Sequence, residues 1–120
     1  MMPRVSVVMP SYNHAPFVRK AVESVLTQSF ADLELLVNDD ASTDGTPDIV
    51  SAVRDPRLTL HVFNVNNGAS ASVNHALERA QGDYIAILNS DDFFLPGKLD
   101  LQVRYLDENP SVGAVFGLPH

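Results

Sequence analysis

Short apolar runs alternate along this chain with stretches whose apolar residues recur at helical spacing, and no other feature restricts the fold as strongly. Val5-Ser6-Val7-Val8-Met9 is short and β-branched, a first strand that Pro10 ends. Phe17, Val18, Ala21, Val22, Val25 and Leu26 then keep helical spacing, from Pro16 at the first helical position through Phe30. Leu33-Glu34-Leu35-Leu36-Val37 reads as a second strand. Thr46-Pro47-Asp48 opens a short helix with a hydroxyl N-cap, a first-turn proline and an acid favoured by the helix dipole. Leu58 to Phe63 reads as a third strand, and Val73, Ala76, Leu77 and Ala80 mark a helix that Gly82 is placed to cap. Tyr84-Ile85-Ala86-Ile87-Leu88 is an unbroken apolar run, the pattern of a strand buried on both faces. Leu95, Leu99, Val103 and Leu106 form one face of a helix from near Pro96 to Asn109-Pro110, and 112–116 reads as a fifth strand. This alternation predicts an α/β fold: a mostly parallel sheet with helices on both faces.

Sheets of that kind bind ligands outside the carboxyl ends of their strands. Here those ends carry Pro10-Ser11-Tyr12-Asn13, Asp39-Asp40, Asn64 to Gly68, and Asn89-Ser90-Asp91-Asp92. Parallel topology brings all four to one rim, so four or more carboxylates are expected around small, flexible residues. Two like charges about 4 Å apart repel by roughly 4 kcal/mol at an effective dielectric near 20, an arrangement that a cation relieves. For each acid pair taken singly, a solvated loop with the acids pointing apart is the plainer explanation. Asp44 and Asp48 are explained as loop and cap residues; Asp39 and Asp40, several positions earlier, are not. An all-oxygen rim suits Mg²⁺ or Mn²⁺, which ordinarily shares its ligands with a substrate phosphate. The first loop lacks a G-x-G-x-x-G or Walker-type pattern, which argues against dinucleotide and P-loop sites.

Composition narrows the partners. With 120 residues, the chain has room for one domain over 1–120 with a real core. A net charge of −7 argues against a nucleic-acid surface. There are no cysteines, and His14, His61, His75 and His120 lack metal-type spacing, so zinc is not expected. No apolar run approaches the roughly 20 residues of a membrane helix, and Met1-Met2-Pro3-Arg4 leads straight into a strand pattern. A cytoplasmic protein is the expectation.

Five segments in order resemble family 2 glycosyltransferases, which have the Rossmann-like GT-A fold. Val5 to Asn13 resembles their opening strand and loop, and Glu23 to Phe30 their first helix. Asn38-Asp39-Asp40-Ala41-Ser42-Thr43-Asp44-Gly45-Thr46 is similar to their Asp-Asp-Gly-Ser segment. Asn67-Gly68, Asn74 and Ala80 to Tyr84 fall in the family's order. Leu88-Asn89-Ser90-Asp91-Asp92, followed by Pro96, Lys98 and Leu99, resembles the family's metal motif and the helix after it. The resemblance covers essentially the whole chain.

It implies a nucleotide-diphosphate sugar donor, usually a UDP-sugar, with metal-dependent, inverting transfer to a sugar or lipid-linked acceptor. Pro10 and Tyr12 would flank the base and Asp40 would hydrogen-bond it, with Asp39 a second candidate or a support for the loop. Ser11, Asn13 and Asn67 complete the implied nucleotide set; Asp91 would serve ribose or metal, and Asp92 the metal. Three positions depart from the family pattern: Asn89 for an acid, Ala41 for glycine, and Val73 for arginine. The acceptor half and the general base follow this segment in the family. Asp44, Asp83 and Glu34 are the only nominees for a base here, and each has a structural explanation. The chain therefore reads as the donor-binding half of a larger enzyme working at the cytoplasmic face of a membrane, with a sheet edge open to dimer formation. A non-catalytic nucleotide-sugar-binding module is the alternative. A receiver-like phospho-acceptor domain ranks lower, because the first strand ends in Pro10-Ser11 rather than in acids.

Overall fold

The computed structural model describes residues 2–113. Four strands, β1 (Val5–Ser11), β2 (Leu33–Asp39), β3 (Leu58–Val62) and β4 (Tyr84–Ile87), form one parallel sheet in the order β3-β2-β1-β4. They alternate with α1 (Ala15–Leu26), α2 (Thr46–Ser51), α3 (Ala69–Arg79) and α4 (Lys98–Glu108). The register sets Val5 beside both Leu33 and Tyr84, and Leu35 beside Leu58. The chain steps outward from β1 through β2 to β3, then returns past β1 to β4. Right-handed crossovers running in opposite directions place their helices on opposite faces. One face accordingly buries Val5, Val7, Met9, Leu33, Leu35 and Val37 against the apolar stripe of α1, Val50 of α2, and Leu99 and Val103 of α4. The other buries Val8 and Leu36 against Ala76 of α3.

Several elements differ in detail from the sequence reading. β1 runs through Pro10 rather than ending there. Val8 accepts from Leu88 N–H and Ser11 from Asp40 N–H, so alternation turns Pro10 toward β4. Pairing with β4 has already ended at Val8–Ile87, and the missing proline N–H leaves no gap in the ladder. β4 itself is not buried on both faces: Ile85 and Ile87 are 45% and 56% exposed, because β4 is the outer strand among the described residues. α1 stops at Leu26, where Thr27 Oγ1 bonds back to Glu23 O. Beyond it, buried Gln28 ties the C-terminal end of α1 to the approach to α4, donating to Ser24 O and Leu95 O and accepting from Leu99 N–H. Phe17 and Leu95, expected on buried stripes, are about half exposed. Thr46 is not a side-chain cap; its buried hydroxyl accepts from His14 N–H and bonds Asp44, while Gly45 takes the N-cap position in a left-handed conformation. Gly82 does not cap α3 either. A Cβ there would lie 2.6 Å from the Ser6 backbone nitrogen, so glycine is required by close approach to β1. The expected strand over 112–116 falls largely outside the described residues.

Arg4, Tyr84 and Asp107 clamp the far end of the sheet. Arg4 makes two bonds to the Asp107 carboxylate, at 2.8 and 3.1 Å, and Tyr84 Oη donates to the same group at 2.6 Å. The guanidinium, then the phenol, hold the Asp107 carboxyl down to about 2, and the same bonds raise Arg4 and Tyr84. A carboxyl depressed by folding contributes stability above its unfolded pKa and loses that contribution as pH falls through the folded one. We therefore expect the clamp to be intact above about pH 4 and to fail on approach to pH 2. Carboxyl NMR titration should give Asp107 a midpoint near 2 that returns toward 3.8 in Arg4→Met; an ordinary midpoint in the unmodified chain contradicts the clamp.

Ala41 carries a positive φ of 60° in the loop after β2, where the family-like pattern has glycine. Its neighbour Ser42 is held by Asp39, which keeps the loop in this shape. A left-handed alanine is strained by about 1–2 kcal/mol, and glycine's extra freedom in the unfolded chain returns roughly 0.4–1 kcal/mol of that. Ala41→Gly should therefore raise stability by up to about 1.5 kcal/mol in urea denaturation; a loss of stability would show that the alanine is unstrained.

Candidate functional site

Parallel pairing delivers the carboxyl ends of β1, β2 and β4 to one rim, where the strand order turns back on itself between β1 and β4. A cleft of about 440 Å³ opens there. Pro10 and Ser11 line it from the end of β1, Tyr12 and His14 from the loop after it, Asp40 from just past β2, and Asn66, Gly68, Ala69 and Ser72 from the entry to α3. Asn89, Ser90 and Asp91 close it from the loop after β4. A larger groove of about 580 Å³ follows the outer edge of β4 beneath α4, but its lining is mainly apolar, without converging carboxylates. Polar convergence, rather than size, marks the rim cleft as the site.

The two acids at the end of β2 do different work because successive side chains in extended backbone point to opposite faces. Asp39 is fully buried and accepts from Ser11 Oγ at 2.7 Å, Ser42 N–H at 2.8 Å and Ser42 Oγ at 2.7 Å. It fastens the loop after β2 to the end of β1 and does not line the cleft. Asp40 accepts from the backbone N–H groups of Asn67 and Gly68 at 2.7 and 2.9 Å, one on each oxygen. Those bonds anchor the entry to α3, whose Gly68 at φ 91° and ψ 158° occupies backbone space that is essentially glycine's own. Each Asp40 oxygen has a second lone pair beyond these bonds, and Asp40 lines the cleft.

The remaining sequence candidates divide in the same way. Tyr12 is 47% exposed and stands open at the rim with Pro10. Asn13 instead joins two loops, donating to Ser42 Oγ through its backbone and accepting from Thr43 N–H through its side chain. The Asn67 side chain turns to Val65 O and contributes its backbone N–H to Asp40. Asp91 faces the cleft, whereas Asp92 is exposed beside it and accepts from Phe93 N–H. The expected ring of four carboxylates is thus reduced to Asp40 and Asp91 in the cleft itself.

Among the described residues no three His, Asp or Glu side chains converge as a metal cage. Asp91's neighbours in sequence, Asn89, Ser90 and Asp92, supply oxygen, and His14 Nε2 stands 3.9 Å from Asp91 with the ring's Nδ1 against Ser90 Oγ. That set fits a hard divalent ion that takes one or two carboxylates from protein and the rest from phosphate and water.

None of the nominated bases faces the cleft. Glu34 and Asp83 lie at the amino ends of their strands, the opposite rim, where Glu34 bonds Ser6 Oγ and Gln81 N–H. Asp44 receives Ala15 N–H and the Thr46 hydroxyl, which lower its pKa. The cleft does contain residues that the sequence reading passed over. His14 Nδ1 lies 2.7 Å from Ser90 Oγ, and its Nε2 is 3.9 Å from Asp91, joining the loops after β1 and β4. Its position one residue after Asn13, in the same loop, was the available signal. Ser72, in the first turns of α3, is a second such residue.

Comparison with known proteins bears on the family and the fold. The model for Glycosyl transferase family 2 matches residues 6–120. The chain is 40% identical over 113 residues to the Escherichia coli UDP-Glc:alpha-D-GlcNAc-diphosphoundecaprenol beta-1,3-glucosyltransferase WfgD, covering 94% of this chain and 44% of that one. Staphylococcal (S. aureus) TarS 1-349 in complex with UDP superposes with a TM-score of 0.84 at 30% identity, over 89% of this chain and 33% of that one. The Pyrobaculum calidifontis mannosyltransferase PcManGT, solved with GDP-Man and Mn2+, also gives 0.84, at 33% identity over 94% of this chain and 34% of its own. The chain thus spans less than half the length of each of these relatives. By its family match, its sequence relatives and its fold, this chain belongs to glycosyl transferase family 2.

Proposed function

We propose that the rim cleft is the donor site of a metal-dependent, inverting glycosyltransferase that uses a nucleotide-diphosphate sugar, most directly a UDP-sugar. The observation that carries this reading is the meeting, at one switch point, of an open aromatic (Tyr12), a carboxylate anchored by two N–H groups (Asp40) and an acid-ended loop (Asn89 to Asp91). In this reading Pro10 and Tyr12 flank the base, and Asp40 accepts a base N–H on a free lone pair. Asp39, with Ser11 and Asn13, holds the loops in position, and Asn67 acts through its backbone on Asp40. Asp91 and Asp92 serve the ribose and a Mg²⁺ or Mn²⁺ ion. When bound, the ion supplies Lewis-acid stabilisation of the leaving diphosphate. His14, bonded to Ser90, orients the loop that carries Asp91.

A base that deprotonates the acceptor hydroxyl must stand within hydrogen-bond reach of it, and among the described residues the cleft's carboxylates, Asp40 and Asp91, are already given other tasks in this reading. The chain is accordingly the donor-binding part of a longer enzyme, with acceptor site and base downstream. The exposed Ile85 and Ile87 and the groove along β4 are the surfaces such a downstream part would cover, or that a second copy would cover in a homodimer. The WfgD relative supports a lipid-linked acceptor, and hence work at the cytoplasmic face of a membrane. No described helix is long and apolar enough to cross one.

Calorimetric titration of UDP, GDP and CDP, with and without Mn²⁺, tests the reading. Metal-dependent binding is expected, tightest for UDP, and weakened at least about tenfold, or 1.4 kcal/mol, by Asp91→Ala or Asp92→Ala. Equal binding without metal, or no nucleotide bound, counts against the proposed site.

A further inference from the structure

Among the described residues, every buried side-chain polar atom without a hydrogen-bond partner lies between α3 and the sheet: Asn38 Nδ2 and Oδ1, Ser72 Oγ and His75 Nδ1. Asn38 sits on β2 beside Pro10, on the face that α3 covers. His75 stacks on His61 at 4.1 Å. Of the three residues, Ser72 alone lines the cleft. It is 0% exposed.

A buried hydroxyl left unpaired is destabilising by about 1–3 kcal/mol. Serine within a helix usually avoids this by bonding the carbonyl one turn back. Here Gly68 O takes the Ser72 backbone N–H at 3.2 Å, and the hydroxyl makes no such bond. Its helical neighbours on the same stripe, Ala69 and Ala76, are apolar, and an alanine at 72 would fill the stripe equally well. The hydroxyl therefore adds nothing to packing. It stands one turn into α3, in the cleft that also holds Tyr12 and the Asp40 carboxylate.

We propose that Ser72 is a base-reading residue, its hydroxyl bonding the polar edge of the nucleobase beside Asp40; this rests on the donor-site reading above. The two groups read different atoms. Ionised Asp40 only accepts, so it requires a base N–H. The Ser72 hydroxyl can donate to the carbonyl next to it. Uracil and guanine each present a ring N–H adjacent to a carbonyl and satisfy both groups. Cytosine presents an unprotonated ring nitrogen, which sets two acceptors face to face at Asp40, and is rejected. A site built to hydrogen-bond a substrate group discriminates strongly against analogues lacking it, because its own buried groups are left unpaired.

The test compares the unmodified chain with Ser72→Ala by calorimetric titration of UDP, CDP and inorganic pyrophosphate, all with Mn²⁺, and by urea denaturation without ligand. Ser72→Ala should bind UDP about five- to tenfold more weakly, bind pyrophosphate unchanged, and narrow the preference for UDP over CDP. Without ligand it should be at least as stable as the unmodified chain, which separates base reading from a structural role. If the unmodified chain binds UDP and Ser72→Ala binds it equally well, the assignment of Ser72 falls while the donor site stands. Equal weakening for UDP and pyrophosphate, or lost stability without ligand, also overturns it. If the unmodified chain binds no nucleotide, the donor-site reading fails and this inference fails with it.

Discussion

The loops of this protein depend on two adjacent carboxylates at the end of one strand, turned to opposite sides. Asp39 draws the end of β1 and the loop after β2 together, and Asp40 draws in the loop before α3. Neither is a bare charge, since each is met by donors, and a carboxylate bonded by N–H and O–H groups tolerates burial that an unpaired one does not. Three of the four rim loops are thereby tied to a single dipeptide. The fourth, after β4, is joined through His14 and Ser90. The donor site proposed here needs a rim held in advance of the ligand, and these bonds supply it while leaving each Asp40 oxygen a second lone pair.

Much of this was legible in the sequence, because alternation of strand and helix patterns implies parallel pairing, and parallel pairing implies a common rim. What could not be read was the direction of individual side chains. Asp39 and Asp40 look alike as a pair of acids, yet the two-residue period of the strand separates an internal fastener from a cleft residue. The apolar run at 84–88 resembles a doubly buried strand, but Ile85 and Ile87 remain exposed because nothing among the described residues lies over them. Gly82 carries the signal of a helix cap, and its real constraint, contact with Ser6 on another strand, leaves no local trace. Ser72 reads as a small helix residue until its hydroxyl is seen to lack a partner.

On the proposed reading, the described part of the cleft serves recognition of the donor rather than the whole reaction. Its acids suit a cation shared with phosphate, its open tyrosine suits a base, and the carboxylates nominated as proton acceptors are engaged elsewhere or lie at the other rim. That division agrees with the lengths of the relatives, in which this segment is less than half of the chain. The exposed face of β4 beside the cleft is in keeping with the proposal that a second layer brings the acceptor.

The most direct test of the central claim, that one rim cleft holds the donor, is a ¹⁵N-resolved NMR titration of the chain with UDP, followed by Mn²⁺. The account predicts shifts confined to Pro10–His14 neighbours, Asp40, Asn66 to Ser72 and Asn89 to Asp91, with paramagnetic broadening centred on Asp91 and Asp92. Shifts centred on the groove between β4 and α4, or no localised shifts, would contradict it.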